Sequence, residues 1–182
     1  MSTIATTNIK HASSSSNNIV LNSDGSTTIA SGAGKILQIV EGSTSTQVTT
    51  TSATWVASNL TASITPASTS NKVFVAACVS TWQSVVDSVV YVTIFRSTDG
   101  GSNWTNLGHD NGSNQGEGMA HHYVMNARIG ATHTLNILDS PSSVSPAVQY
   151  KVYFRSFANG RSVSCPSGSN ETSRIHLMEV AA

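Results

Sequence analysis

The carboxylates are the first residues in this sequence that could do chemistry, because two convergent carboxylates can hydrolyse a glycosidic bond. Most of them stand beside Gly, Ser or Asn, where an acidic side chain ordinarily shapes a turn. No spacing pairs any two of them, and no Gly-x-Ser-x-Gly motif supplies a serine nucleophile. The pattern therefore indicates a protein that is not an enzyme. The carboxylates considered are Asp87, Asp99, Asp110, Glu117, Asp139, Glu171 and Glu179.

Six histidines could hold a metal ion, but their spacing does not favour one. His121 and His122 are neighbours, so on a strand they point to opposite faces and cannot bind one ion together. No Cys-x-x-Cys or His-Glu-x-x-His motif is present. A three-fold axis could still gather three copies of one histidine, such as His133 or His176. Within one chain we expect no metal and no cofactor.

Two cysteines do not make a disulfide framework. Cys78 lies in the run Val73–Val79, which is apolar at both alternating sets of positions. A buried thiol in such a run behaves as a small hydrophobic group. We expect Cys78 to be buried, and both Cys78 and Cys165 to stay reduced and inert.

Residues 97–104, Ser-Thr-Asp-Gly-Gly-Ser-Asn-Trp, resemble the Asp box, a hairpin motif of sialidases and related β-propellers. The predicted structural residues are Ser97, Asp99, Gly101 and Trp104: the carboxylate accepts turn N–H groups, and the Trp packs beneath. Asn103 departs from the usual Thr or Ser. A propeller needs several blades of about 40–50 residues, so one copy in this chain predicts a hairpin and not a glycosidase.

The loop over residues 100–118 is long and rich in Gly, Asn and Ser, and such loops are usually functional or disordered. An aromatic ring beside amides and a carboxylate is the chemistry that grips sugars. The alternative is a plain surface or intersubunit loop. The candidate receptor or glycan contacts are Trp104, Asn106, His109, Asp110 and Asn111.

Composition excludes several classes of function. Nine basic residues balance nine acidic ones, and no Lys/Arg cluster provides the footprint of a nucleic-acid binder. No apolar run approaches the 18 residues of a membrane span, and the first residues lack the features of a secretory signal. Only 10% of the residues are charged, and abundant Ser and Thr fit strands that show a hydroxyl-bearing face to water.

The chain divides into two regions. Residues 1–35 hold only seven large apolar side chains, too few to make a core that offsets the entropy of ordering. Within them, Asn22–Ser26 predicts a tight turn at Asp-Gly. We expect residues 1–35 to be an extended or β-structured stalk or anchor, ordered against other chains. Residues 36–182 are predicted to form one β-sandwich of the jelly-roll type, called the knob below.

Serial strands separated by turn clusters support the all-β prediction. No segment shows a sustained helical period, so we expect almost no helix. Val89–Ile94 and Ile175–Val180 are apolar on both faces, which favours central strands or a subunit interface. The remaining predicted strands are 36–40, 60–65, 72–79, Tyr123–Ile129, 134–138 and 148–155.

Three segments resemble small virion proteins of marine tailed phages, notably podoviruses of cyanobacteria. They are Asn8–Leu21, the pair Gly34–Val40 with Ala62–Val73, and Ser173–Ala182. The resemblance covers the opening segment, the start of the sandwich and its last strand. The middle of the chain does not share it. It implies a homotrimeric fibre or decoration protein with a short β-stalk and a jelly-roll knob.

The leading hypothesis is therefore a structural protein on the virion surface, assembled in the host cytoplasm. Its expected partners are its own copies, other virion proteins through residues 1–35, and a host surface glycan. Nucleic acid and membrane insertion are not expected. The alternative is a carbohydrate-binding, lectin-like adhesin module. Placement on the tail or on the capsid stays open.

Overall fold

A computed structural model describes residues 7–9, 12, 19–25, 27–29, 35–110, 117–125, 129–168 and 170–182. Throughout these ranges the regular structure is β-strand, with no helix, so the all-β prediction is confirmed. The strands are β1 Asn8–Ile9, β2 Ile19–Leu21, β3 Thr27–Ile29, β4 Ile36–Thr44, β5 Val48–Thr50, β6 Val56–Ile64, β7 Lys72–Gln83, β8 Ser88–Ser97, β9 Thr105–Asn106, β10 Ala120–Val124, β11 Ile129–Asp139, β12 Val148–Ser156, β13 Val163–Cys165 and β14 Ser173–Val180.

The first three strands form a small antiparallel sheet of their own, in the order β1-β2-β3. Gly25, at φ 83°, donates its N–H to Asn22 O at 3.1 Å and turns the chain between β2 and β3. This is the Asp-Gly turn that the sequence predicts. In the part of the chain that the structure describes, none of these strands pairs with a strand of residues 36–182.

Residues 36–182 form two antiparallel sheets that pack as a sandwich. The six-stranded sheet has the order β4-β14-β7-β13-β5, with β11 on the other edge of β7. The five-stranded sheet has the order β10-β8-β12-β6, with β9 beside β8. The eight strands of five or more residues divide four and four between the sheets, and among them the chain changes sheet at every step except between β8 and β10, in the manner of a double-sheet jelly roll.

The core lies between the two sheets and is built by strict alternation along each strand. In β6, Leu60, Ala62 and Ile64 are buried while Thr61 and Ser63 are exposed. The largest buried apolar side chains of the sandwich come from both sheets, which gives the knob one continuous core. They are Tyr150, Phe154, Leu60, Ile64, Ile94, Leu135, Ile175 and Leu177.

Gly42 lies where β4 of the six-stranded sheet approaches β6 of the five-stranded sheet. A Cβ at Gly42 would collide with the carbonyl oxygen of Thr61, because β4 crosses β6 at close range there. Glycine is required at this crossing for the close backbone approach.

Both strands with two apolar faces are central, as predicted: β14 lies between β4 and β7, and β8 lies between β12 and β10. For β8 the second apolar face is covered by the chain itself, since Tyr91 and Thr93 are buried on it. The pattern of Val89–Ile94 therefore does not require a partner subunit.

Two predictions from the sequence are wrong. Residues Tyr123–Ile129 do not form one strand, because β10 ends at Val124 and β11 begins at Ile129. Cys78 is exposed, because β7 turns Val75, Ala77 and Val79 inward and the residues between them outward. Cys165 is buried, and burial raises the pKa of its thiol to about 12.

Candidate functional site on the five-stranded sheet

The turn after β8 is organised by one hydroxyl and one carboxylate. Ser97 Oγ accepts the Gly101 N–H at 2.9 Å and donates to Asp99 Oδ1 at 2.7 Å. Asp99 Oδ1 also accepts the N–H groups of Ser102 at 3.1 Å and Asn103 at 3.0 Å. The two glycines, Gly100 and Gly101, take φ 76° and 92°, so the segment is a capped hairpin turn.

Hydrogen bonds to the ionised carboxylate set the acidity of Asp99. The Asn103 backbone N–H, then its side-chain amide and the Ser97 hydroxyl, lower the pKa of Asp99 to about 2. The Asn103 side chain donates Nδ2–H to Asp99 Oδ2 at 2.6 Å. The departure from the Asp-box pattern at this position therefore supplies an additional bond to the carboxylate.

Trp104 lies against the outer face of the five-stranded sheet. Its ring N–H donates to Gly101 O at 3.0 Å, and the Lys151 ammonium lies 4.9 Å from the ring centroid. Its ring is the end of an aromatic ladder in which Trp55 meets Phe95 at 6.1 Å, Phe95 meets Tyr153 at 4.1 Å, and Tyr153 meets Trp104 at 6.0 Å between centroids. All four rings are partly exposed.

Asn106 ties the loop to the sheet. It pairs with Phe95 as part of β9, and its Oδ1 accepts bonds from Thr93 Oγ1 at 2.7 Å and the Gly108 N–H at 3.0 Å. Its Nδ2 is buried without a hydrogen-bond partner among the residues that the structure describes. The amide is therefore held in a fixed orientation by its oxygen.

The described residues of the 100–118 loop, which are 100–110 and 117–118, are held by several hydrogen bonds. His109 and Gly118 form an isolated antiparallel bridge, with Gly118 N–H donating to His109 O at 2.7 Å. Asp110 Oδ2 accepts the ring N–H of Trp55 at 3.0 Å. Asn111, the last candidate contact, lies outside the described residues. The structure thus places Trp104 and Asp110 at opposite ends of the aromatic ladder.

A buried ion pair fixes the end of this loop, and the sequence gives no sign of it. Arg155 and Glu117 are paired, and each side chain is only 3% exposed. The Arg155 guanidinium carbon lies 4.6 Å from the Tyr91 ring centroid and 5.2 Å from that of Trp55, and it donates to Ala53 O at 2.9 Å. Cation–π contacts and hydrogen bonds offset the cost of burying these charges.

The histidines are divided by the strand alternation, as the sequence predicts. The His121 ring lies 5.8 Å from Tyr91, whereas His122 turns inward to His133, with 3.3 Å between His122 Nδ1 and His133 Nε2. His133 is buried and lies 3.0 Å from Thr81 Oγ1. A three-fold axis therefore cannot use His133, because its side chain points into the core.

His176 is exposed, with Nε2 3.2 Å from Glu41 Oε2. No group of three metal-binding side chains is found within the described ranges.

Each carboxylate singled out in the sequence has a structural partner. Asp139 accepts from Arg96 and from the Tyr150 hydroxyl, both at 2.8 Å, and so joins the two sheets. The buried Glu179 accepts from Gln38, Asn71 and the Ala67 N–H at 2.6–2.7 Å. The others are described above, except that Asp87 accepts from Tyr123 and Glu171 from Ser167.

Within the described residues, no helix has the length and apolarity to cross a membrane. No family model matches the sequence, and no curated protein matches it. One similar solved structure is titled "Structure of infectious bursal disease virus Gt strain". The TM-score is 0.48 with 11% sequence identity, and the match covers 86% of this chain and 40% of that chain. This chain thus spans less than half the length of the protein it matches.

Proposed function

We propose that this protein is a non-enzymatic structural component of a tailed-phage particle, displayed on the particle surface as a short trimeric fibre or knob. The observation that carries the proposal is that residues 1–35 and residues 36–182 form separate sets of paired strands. The sandwich of residues 36–182 closes its own core, and the described strands of residues 1–35 pair only with one another. A self-sufficient knob joined to a polar segment suits a protein that is attached at one end and exposed at the other.

The chemistry of the knob supports a structural role. Its carboxylates cap turns, join sheets or hold a loop, and such bonds leave those groups engaged in the fold. The exposed positions of β6 and β11 are mostly hydroxyl and amide side chains, which suit a stable surface without a large field of one sign.

Residues 1–35 are the proposed attachment to other virion proteins. Strand addition takes its affinity from main-chain hydrogen bonds and needs few specific side chains. A segment rich in Ser, Thr and Asn keeps its backbone soluble until a partner arrives.

Deletion of residues 1–35 tests this layout at the scale of the whole particle. The truncated protein should stay soluble, β-rich and trimeric, and it should be missing from assembled particles when it replaces the full chain. Circular dichroism and sedimentation equilibrium report the first part, and quantitative mass spectrometry of purified particles reports the second. Truncated protein at normal copy number on particles would contradict attachment through residues 1–35. The copy number of the full chain decides placement, since a handful per particle indicates the tail and tens or more the capsid.

A second candidate function is contact with a host surface glycan through the outer face of the five-stranded sheet. The observation that favours it is the partly exposed aromatic ladder, with Lys151 at Trp104 and Asp110 at Trp55. A glycan array on the full-length protein tests it. Trp104→Ala should abolish the strongest signal and Trp82→Ala should leave it, because Trp82 lies on the other sheet.

A further inference from the structure

An apolar row crosses the outer face of the six-stranded sheet. The strand registers pair Ile39 with Met178, Met178 with Phe74, and Phe74 with Leu138. These four side chains therefore stand side by side across β4, β14, β7 and β11, pointing away from the core. The two ends of the row, Ile39 and Leu138, are 60% and 51% exposed, whereas Met178 and Phe74 between them are half-buried.

On β4 and β14 the row is followed by polar side chains, whereas the outward positions of β7 also carry Ala76, Cys78 and Trp82. The next pairs along the strands are Glu41 with His176 and Ser43 with Arg174. Ile36, which is 50% exposed, pairs with Val180 beside the row on the other side. Contiguous exposed apolar groups rimmed by polar residues mark an interaction surface.

We propose that this row is the contact through which three copies of the chain associate, head to tail around a three-fold axis, with Leu138 of each copy packed on Ile39 of the next. The inference rests on the trimer of the proposed function and names the face that builds it.

Charge on this face favours a second copy of the same chain over a charged foreign partner. Arg174 and His176 both bind Glu41, and all three are exposed. The face is thus locally balanced, so it neither repels its own copy nor attracts a partner of one sign. The carboxylate and the guanidinium can also exchange partners between neighbouring copies without a change in net charge.

The width of the four strands that carry the row, β4, β14, β7 and β11, favours three copies. Four strands about 4.8 Å apart form a wall roughly 14–19 Å wide, and a triangle with such sides has an inscribed radius of about 4–5.5 Å. Packed sheets lie ~10 Å apart, so the side-chain layer of one face is about 5 Å thick. Three walls therefore fill the axis with side chains. Four walls of the same width would leave an open channel along it.

The most exposed apolar groups of the row are at opposite edges of the sheet, on β4 and β11. Contact between these two edges is heterologous in a ring, which closes when the rotation allows it. A two-fold dimer with its axis along the strands would bring the same two edges together, because each residue of an isologous contact can meet a different residue of the partner. The number of copies in the crosslinked product therefore distinguishes the ring from the dimer.

Cysteine crosslinking tests the arrangement in the full-length chain. Cys78→Ser removes the exposed thiol on the same face. In that background, Ile39→Cys with Leu138→Cys should yield covalent trimers under mild oxidation, seen on a non-reducing gel. Either cysteine alone should stay monomeric on that gel, because like positions do not meet in a head-to-tail ring. Covalent dimers as the final product, from the double-cysteine variant or from either single-cysteine variant, would overturn the arrangement in favour of a two-fold contact.

Sedimentation equilibrium separates failure of the contact from failure of the trimer. Leu138→Asp should convert trimers to monomers with an unchanged circular dichroism spectrum. Met125→Asp is the matched control, because Met125 is 64% exposed and lies elsewhere, beyond β10. A trimer that survives Leu138→Asp and gives no crosslink would overturn the contact and leave the proposed function standing. A monomeric unmodified chain would overturn both.

Discussion

Single side chains in this protein do structural work that depends on their protonation. His122 and His133 face each other across the junction of β10 and β11, one from each sheet. Burial, and then the charge of the neighbouring histidines, lowers the pKa of His133 to about 4, and burial lowers the pKa of His122 as well. Both imidazoles are therefore neutral in the folded protein at neutral pH.

The first prediction concerns acid stability. A histidine in the unfolded chain has a pKa near 6.5. Below that pH the unfolded chain therefore binds protons at His122 and His133 more readily than the folded chain does. The free energy of unfolding should fall as the pH drops from 6.5 towards 4, by up to about 1.4 kcal/mol per pH unit because of His133, and His122 should add to the fall. His133→Gln should reduce this slope in urea titrations at several pH values. His176→Gln is the control, and an equal loss of slope in the control would contradict a special role for the buried pair.

The second prediction concerns Asp99. Asp99→Ala should lower the melting temperature at neutral pH, because the turn N–H groups of Ser102 and Asn103 lose their acceptor. The carboxylate contributes fully above its unfolded pKa near 3.9, and the contribution should disappear as the pH falls through about 2. Asp87→Ala, which removes a single bond from Tyr123, should have a smaller effect. With a fluorogenic sialoside, the unmodified protein and the Asp99→Ala variant should both give only background signal. Turnover by the unmodified protein that Asp99→Ala abolishes would refute the structural role.

Among the elements, the 100–118 loop shows how a polar segment is held on a sheet. It is fixed at β9, at the His109–Gly118 bridge and at the Glu117–Arg155 pair. The described parts of the loop therefore cover Tyr91 and Thr93 as a second layer outside the five-stranded sheet.

The third prediction compares two ion pairs. Arg155→Met removes one member of a buried ion pair, so the free energy of unfolding should fall by about 3–5 kcal/mol. Arg174→Met breaks an exposed pair with Glu41 and should cost below about 1 kcal/mol. Chemical denaturation of both variants gives the comparison. Equal losses would mean that the buried pair does not hold the loop.

The fourth prediction compares two glycines with almost the same backbone. Gly118 and Gly100 have φ 78° and 76°. A Cβ at Gly118 would lie 2.7 Å from Val92 O and 3.0 Å from Trp55 Cη2, whereas one at Gly100 would meet nothing within 4 Å. Both Ala variants pay the left-handed strain of about 1–2 kcal/mol, and Gly118→Ala should lose at least about 1 kcal/mol more because of the collision. Similar melting curves for the two variants would count against close packing of Gly118 on β8.

At the scale of the whole molecule, local patterns predict most of the sandwich. Strict alternation predicts β6 and the central part of β7, and Asp-Gly-Gly predicts the turn after β8. The strands β5 and β13 are three residues long, too short for a period to show. The segment 123–129 has apolar residues at both ends and contains no Gly or Pro, so its sequence predicts one strand.

The interior contacts could not be predicted in the same way. Glu117 and Arg155 are 38 positions apart, and His122 and His133 belong to different sheets. Their proximity follows from the register of whole strands, which no local spacing encodes. For the same reason the sequence misassigned Cys78, whose exposure depends on which set of β7 side chains meets the opposite sheet.

The central position of β14 has a consequence for how the chain folds. Its neighbour β4 lies far away in sequence, as the Gln38–Glu179 bond, which spans 141 positions, illustrates. During synthesis β4 stays unpaired until more than a hundred further residues, including its partner strand β14, have been made. Such non-local pairing makes folding slow, on the millisecond-to-second scale of β-sandwiches. Meanwhile the unpaired edges of β4 and β7 are exposed to other nascent chains, so the yield of native protein should depend strongly on the rate of expression and on temperature.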